Sequence, residues 1–308
     1  MKKIISLILA LTLVVGCLAA VTSCDKKADF TVGICQLAEH ESLDKATQGF
    51  VDALNAELEK AGKTVEIKTE VPGEANLCTT VVNTFVSSNV DLIMANATPA
   101  LVAAANATAS IPVLGTSVTD YSSTFEGSIP ANVSGTSDAV PFAEQAEMMI
   151  DTLGLKAGDK VGVIYCTNES NSVIQYEAVK ALFESEGIVV TAYTFSESTE
   201  LQTITAKAAS ESKAIYVPSD NTVANNDTIV GSVCNDAKVP VYTSYGGAIC
   251  YASLAIDYYQ LGYETGKMAA DILLGNKTVA DIEIATLEPT VSYNKELCEA
   301  LGIAVPEN

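Results

Sequence analysis

Two loops of this chain present hydrogen-bonding groups directly after apolar β-runs. Ala214–Val217 ends in Pro218 and Ser219, then delivers a carboxylate, a carboxamide and a hydroxyl in Asp220, Asn221 and Thr222. Earlier, Asp91–Ala95 leads into Asn96, Ala97, Thr98 and Pro99 on the same plan. In an open α/β sheet, ligands sit just outside the carboxyl ends of the strands, so both loops are candidate ligand edges. Each also reads as an ordinary N-cap, because Asp, Asn and Thr oxygens accept from the free N–H groups that open a helix. Other strand ends add Glu39 and His40, Thr116 and Ser117, Asp120, Thr136 and Ser137, Asn171 and Ser172, and Asp257. Acids in such a set would hold a cation. For an anion the options are narrower: all 17 basic residues are Lys, so no bidentate guanidinium clamp exists. Backbone N–H groups at helix starts, with Thr98, Thr116–Ser117 and Asn171–Ser172 beside them, are what remains.

The same inventory argues against catalysis. One histidine, His40, would have to serve every Ser or Cys mechanism, and neither a G-x-S-x-G elbow nor a Walker A loop is present. A two-carboxylate glycosidase stays open on residue counts alone. Cys35, Cys78, Cys166, Cys234, Cys250 and Cys298 form no C-x-x-C pair, so no Cys/His metal site and no cofactor is expected. Their thiols could pair or stay free.

The elements that must position these groups repeat. Phe30–Cys35, Thr64–Val71, Asp91–Asn96 and Ile111–Leu114 read as strands, with helices at Leu43–Ala61, Asn76–Ser87 and Pro99–Ala109. The second copy has strands at Lys160–Cys166, Ile188–Phe195, Ala214–Val217 and Val239–Thr243. Its helices are Ser172–Glu186, Glu200–Ser212 and Thr222–Ala237. Val32 and Val161 are offset by 129 residues, Pro112 and Pro240 by 128, so the order recurs almost without slippage. Alternating strands and helices predict an α/β fold of parallel sheets, here in two lobes facing a cleft. The expected lobes are 30–136 with 256–284, and 137–255 with 285–308. Asn132–Asp138, Leu254–Asp257 and a strand at Thr286–Ser292 serve as crossings, with helices at Pro141–Leu153, Tyr259–Leu274 and Lys295–Leu301.

Met1–Lys3, the apolar run Ile4–Val15 and small residues before Cys24 read as a secretory signal peptide over 1–23. Val21–Thr22–Ser23–Cys24 looks like a bacterial lipobox that would lipidate Cys24, with 24–29 as linker. Val14–Val15–Gly16–Cys17 is the rival, disfavoured because apolar Leu18–Val21 would then dangle at the mature end. Losing Lys2 and Lys3 takes the formal charge from −21 to −23. So acidic a chain is a poor nucleic-acid binder, and its expected place is outside the cell membrane, held there by the lipid.

Gln36-x-x-Glu39–His40, Asn96–Ala100, Thr119–Asp120, Gly135–Asp138, Asn171–Ser172, Val217–Thr222 and Ile256–Tyr259 together resemble one family. It is the substrate-binding lipoproteins of ABC importers, in the branch that includes tryptophan- and tyrosine-binding members. The resemblance implies the type I periplasmic-binding-protein fold, two Rossmann-like lobes joined by three crossovers. It also implies a monomer that passes a small ligand to a permease and ATPase. An aromatic amino acid leads among ligands; another small solute, or a sensory or adhesive role for the same fold, are the alternatives. For an amino acid, Asp220 is the first choice to hold the ammonium and Glu39 the second, with Asp120 and Asp257 further off. His40 is a pH-sensitive contact, a donor to the ligand, or a packed loop residue.

Overall fold

Apolar runs buried on both faces become parallel strands between helices, and this chain builds two such sheets. The structure, a computed structural model, describes residues 27–306. The signal peptide 1–23, with Cys17, and residues 24–26 of the linker, with Cys24, lie outside the described residues.

The first sheet contains β1 (Phe30–Gln36), β2 (Val65–Glu70), β3 (Leu92–Asn96), β4 (Val113–Val118), β5 (Val133–Ser137) and, late in the chain, β11 (Ala285–Thr286). Its order is β11-β5-β4-β3-β1-β2, with every pair parallel. Around it pack α1 (Glu41–Lys60), α2 (Cys78–Ser87), α3 (Thr98–Ala107) and the single turn α4 (Tyr121–Thr124). Helix α1 buries Leu43, Ala46, Phe50, Ala53, Leu54 and Leu58, the one-sided spacing of an amphipathic helix.

The second lobe begins with α5 (Phe142–Leu153) and continues with β6 (Lys160–Cys166), α6 (Ser170–Ser185) and β7 (Val189–Phe195). It then runs through α7 (Leu201–Glu211), β8 (Ala214–Val217), α8 (Asn221–Ala224), α9 (Asp227–Ala237) and β9 (Val241–Thr243). The parallel order is β7-β6-β8-β9. Tyr216 and Tyr242 stack at 5.6 Å in its core, and the Tyr216 hydroxyl donates to Gln145 Oε1 at 2.7 Å.

The chain then recrosses through β10 (Ala252–Ala255) into α10 (Tyr258–Leu273), which packs on α1. That contact is backbone on backbone. A Cβ on Gly262 would lie 1.8 Å from Ala46 O, and one on Gly49 2.1 Å from Tyr259 O, so only glycine fits at either place. After β11 the chain crosses again to β12 (Thr290–Tyr293), antiparallel to β10, and ends its regular structure in α11 (Lys295–Leu301).

Several boundaries differ from expectation for local reasons. The strand expected over Thr286–Ser292 is two strands, because Pro289 between them has no N–H to offer a ladder. Ala285–Thr286 pairs with β5, which itself runs through Ser137, so these residues belong with the first sheet and not the second lobe. The helix expected over Thr222–Ala237 is broken after Ala224, where Asn226 Nδ2 donates to Thr222 O at 2.9 Å and competes with the helical ladder. All six cysteines between Cys35 and Cys298 are free and buried. Among the described residues no helix is long and apolar enough to cross a membrane.

Candidate functional site: a closed pocket between the lobes

The carboxyl ends of the two sheets face each other across a pocket with about 10 Å³ of free space. His40, Leu43 and Ser117 line it from the first lobe, and Ser219, Asp220, Asn221, Ala224 and Tyr245 from the second. Asp138 and Tyr258 enter from the crossing segments. Larger cavities flank the pocket. One of about 730 Å³ lies between the Pro72–Leu77 turn with α3 and the loops at Asn168–Ser170 and Thr222–Asn226. The other, about 830 Å³, lies on the hinge side beside Asp227, Gly246–Ala248 and Asp257.

The expected acids turn out to be caps. Asp120 accepts from Ser123 N at 2.9 Å, Asp220 from Val223 N at 2.9 Å and Asp257 from Gln260 N at 3.1 Å, each three residues on. Asp220, the first choice for a ligand cation, also accepts from Cys166 N at 2.7 Å, so both of its oxygens serve the second lobe. Burial and the nearby Glu169 carboxylate push its pKa well up. Glu39 is exposed and is not part of the pocket lining.

Several hydroxyls and amides also serve the fold. Thr116 Oγ1 meets Thr136 Oγ1 at 3.1 Å, and Thr136 meets Thr265 Oγ1 at 2.8 Å, which ties α10 to the first sheet. Ser137 donates to Thr119 O at 2.9 Å. Asn96 Nδ2 donates to Leu43 O at 2.8 Å and Thr47 Oγ1 at 3.0 Å. Asn171 Nδ2 donates to Ser219 O at 2.6 Å, and Ser172 beside it is fully buried.

A second set has no protein partner. Thr98 Oγ1, Ser117 Oγ, Asp138 Oδ1, Asn171 Oδ1 and Tyr245 OH are buried without a hydrogen bond, and Ser117, Asp138 and Tyr245 all line the pocket. An unsatisfied buried polar atom costs about 1–3 kcal/mol; Asn96 Oδ1, Thr205 Oγ1, Ser212 Oγ and Tyr251 OH share that state, and the three in this pocket are the ones a ligand between the lobes can satisfy. Ala97, just before Thr98, has φ +94°, and Ser117 has φ +55°, left-handed values uncommon for non-glycine residues, though Asn89, Glu126 and Lys238 adopt them away from the pocket.

Asp138 is the acid that the sequence reading passed over in favour of Thr136 and Ser137. It is 5% exposed; Oδ2 accepts from Tyr258 OH at 2.9 Å, Oδ1 is free, and burial pushes its pKa up. A signal was present: the residue three places on is Pro141, which has no N–H to be capped. Glu169 was also missed. Its carboxylate accepts from Asn221 N (2.9 Å), Asn221 Nδ2 (2.6 Å), Thr222 N (2.8 Å) and Thr222 Oγ1 (2.8 Å), filling the start of α8.

His40 Nε2 lies 3.2 Å from Asn221 Oδ1, a side-chain hydrogen bond between the lobes. Burial lowers the His40 pKa, against Asn221, Glu169, Asp44 and Asp227, which raise it. The closed form therefore holds this imidazole neutral, and its advantage over an open form is present above the open-state pKa of about 6.5. It is lost as pH falls through the lowered closed-state value. Small-angle scattering at pH 8 and pH 5 should show a larger radius of gyration in acid. In His40→Ala that particular dependence should disappear.

Tyr245→Phe removes a hydroxyl that has no protein partner. The empty protein should melt unchanged or about 2 °C higher, while ligand affinity falls. A drop in melting temperature would mean that the hydroxyl serves the fold.

Two α/β lobes with facing strand ends, joined by three crossings around a buried polar pocket, define a solute-binding protein of the type I periplasmic-binding-protein fold. The chain belongs to the ABC transporter substrate binding protein family, whose family model matches residues 31–308. It is 36% identical to a tyrosine-binding protein of Clostridioides difficile (strain R20291), over 98% of this chain and 93% of that protein. Among solved structures it is similar to an ABC domain in complex with L-Trp from Streptococcus pneumonia. The TM-score is 0.82 at 30% identity, over 90% of this chain and 96% of that one. A ligand-free, open substrate-binding protein with adhesive properties from Clostridium difficile scores 0.66 at 33% identity, over 91% of this chain and 97% of that one. The weaker fit to an open form at similar identity accords with lobes that here are brought together.

Proposed function

We propose that this protein captures an aromatic amino acid in the interlobe pocket and delivers it to an ABC permease driven by a separate ATPase. On this reading it works outside the cytoplasmic membrane, tethered through a lipid on Cys24. The observation that carries the ligand reading is the free Oδ1 of buried Asp138 in the pocket. It receives the ammonium as a charge-assisted hydrogen bond. Thr98 and Ser117, at the ends of β3 and β4, hold the carboxylate with the uncapped start of α3, and Tyr245 meets the side chain or its polar end. The tyrosine-binding relative and the L-Trp complex favour an aromatic ligand. The pocket must widen to admit one, by the lobes parting at the crossings.

Thermal-shift screening of the twenty amino acids, common sugars and nucleosides tests the proposal. Tyrosine or tryptophan at a hundred times its Kd should stabilise by about 2.7 kcal/mol. No shift with any amino acid would sink it. The adhesive relative favours a second role at the cell surface. Surface adhesion that persists in a variant unable to bind ligand would support that role.

A further inference from the structure

We infer that the pocket selects its ligand by a primary ammonium and an aromatic side chain, with the α-carboxylate dispensable, so that 2-arylethylamines bind as well as amino acids. This rests on the placement of the ammonium at Asp138.

The first ground is the balance of charge. Asp138 and Asp220 line the pocket and Glu169 bonds to Asn221 in its wall, all three within 5% exposure. No lysine lines it and the chain has no arginine. Lys45 stands in the hinge-side cavity and is paired with Glu41. His40 is committed to Asn221. The pocket itself thus offers carboxyl groups and no side-chain cation, so a positive charge that ionises them is one the ligand brings.

The second ground is where helix starts are already filled. The N–H groups opening α8 are held by Glu169 and Asp220, those of α4 by Asp120 and those of α10 by Asp257. A ligand carboxylate is left with the helix starts that no side chain caps, those of α1, α3 and α6, and with the Thr98 and Ser117 hydroxyls. These are neutral donors.

The two halves of an amino acid are thus unequal. Without the carboxylate, the ligand leaves neutral hydroxyls that a water molecule can satisfy. Without the ammonium, it leaves Asp138 buried and unpaired and adds a carboxylate to a pocket that already holds acids.

Calorimetric titration of the purified protein with six compounds decides the matter: L-tyrosine, tyramine and 3-(4-hydroxyphenyl)propionate, and L-tryptophan, tryptamine and indole-3-propionate. For the better-bound series, the amine should fall within about 100-fold of its amino acid, and the propionate should be weaker by about 1000-fold or more. Asp138→Asn should weaken the amine at least as steeply as the amino acid. Amino-acid binding with an amine more than about 100-fold weaker, or a propionate that binds as well as the amine, overturns the inference while leaving the proposed function standing. If no amino acid or amine binds, the aromatic-ligand reading itself falls, and this inference with it.

Discussion

Asp138→Ala is expected to weaken amino-acid binding by about a hundredfold to a few thousandfold. Truncating one partner of a buried ion pair costs about 3–5 kcal/mol, and each 1.4 kcal/mol is tenfold in affinity. The free protein should be little affected. The substitution gives up the bond from the Tyr258 hydroxyl and the support of the Thr119 side chain, against a burial that is itself unfavourable to the charged form. The pH dependence follows from the same burial. A carboxyl whose folded pKa is raised contributes stability that is present below its unfolded value, about 3.9, and is lost as pH rises through the raised value. The ligand's ammonium stabilises the ionised form, so affinity should increase with pH across that interval. Titration calorimetry at several pH values reads both effects. Wild-type affinity in the mutant would move the ammonium site away from Asp138.

Asp220→Ala is expected to act on the fold first. The sequence alone predicts lost binding with unchanged melting, but the observed carboxylate joins β6 to the start of α8 through Cys166 N and Val223 N. Leaving two buried N–H groups unpaired costs about 1–3 kcal/mol each, partly offset by removing a carboxylate beside Glu169. A net loss of about 3 kcal/mol should lower the melting temperature of the empty protein by about 6 °C or more. Asp220→Asn keeps one acceptor and should fall between. Unchanged melting in the alanine variant would return Asp220 to the role of ligand contact.

The contrast between these two acids shows how far the sequence can be read. Periodicity is a local property, so Lys160–Cys166, Ala214–Val217 and Lys295–Leu301 are observed at their expected bounds. The alternation of strands and helices likewise implied two parallel-sheet lobes. A polar oxygen after a strand is ambiguous, because capping and ligand binding use the same lone pairs. Asp120, Asp220 and Asp257 each have an N–H three residues on and use it. Asp138 faces Pro141 at that place and finds the Tyr258 hydroxyl, 120 residues away, instead. Which oxygens stay free depends on such long-range partners. The role of Glu169 is legible only once β6 and β8 are neighbours, since all four of its strongest donors lie on Asn221 and Thr222.

The glycine-lined crossing of α1 and α10 has a consequence for the order in which the chain matures as it emerges from its N-terminus onward. Strands β1 to β5 are synthesised first, yet their sheet lacks its edge strand β11, and α1 lacks its backbone-close partner, until residues 258–286 have emerged. The four strands of the second sheet are complete by Thr243. The lobe that is first in sequence is therefore finished late, and the nascent chain carries it with an uncovered seam while the other sheet assembles. Truncation shortly before Tyr258 should leave that lobe open to protease while the second sheet is already formed.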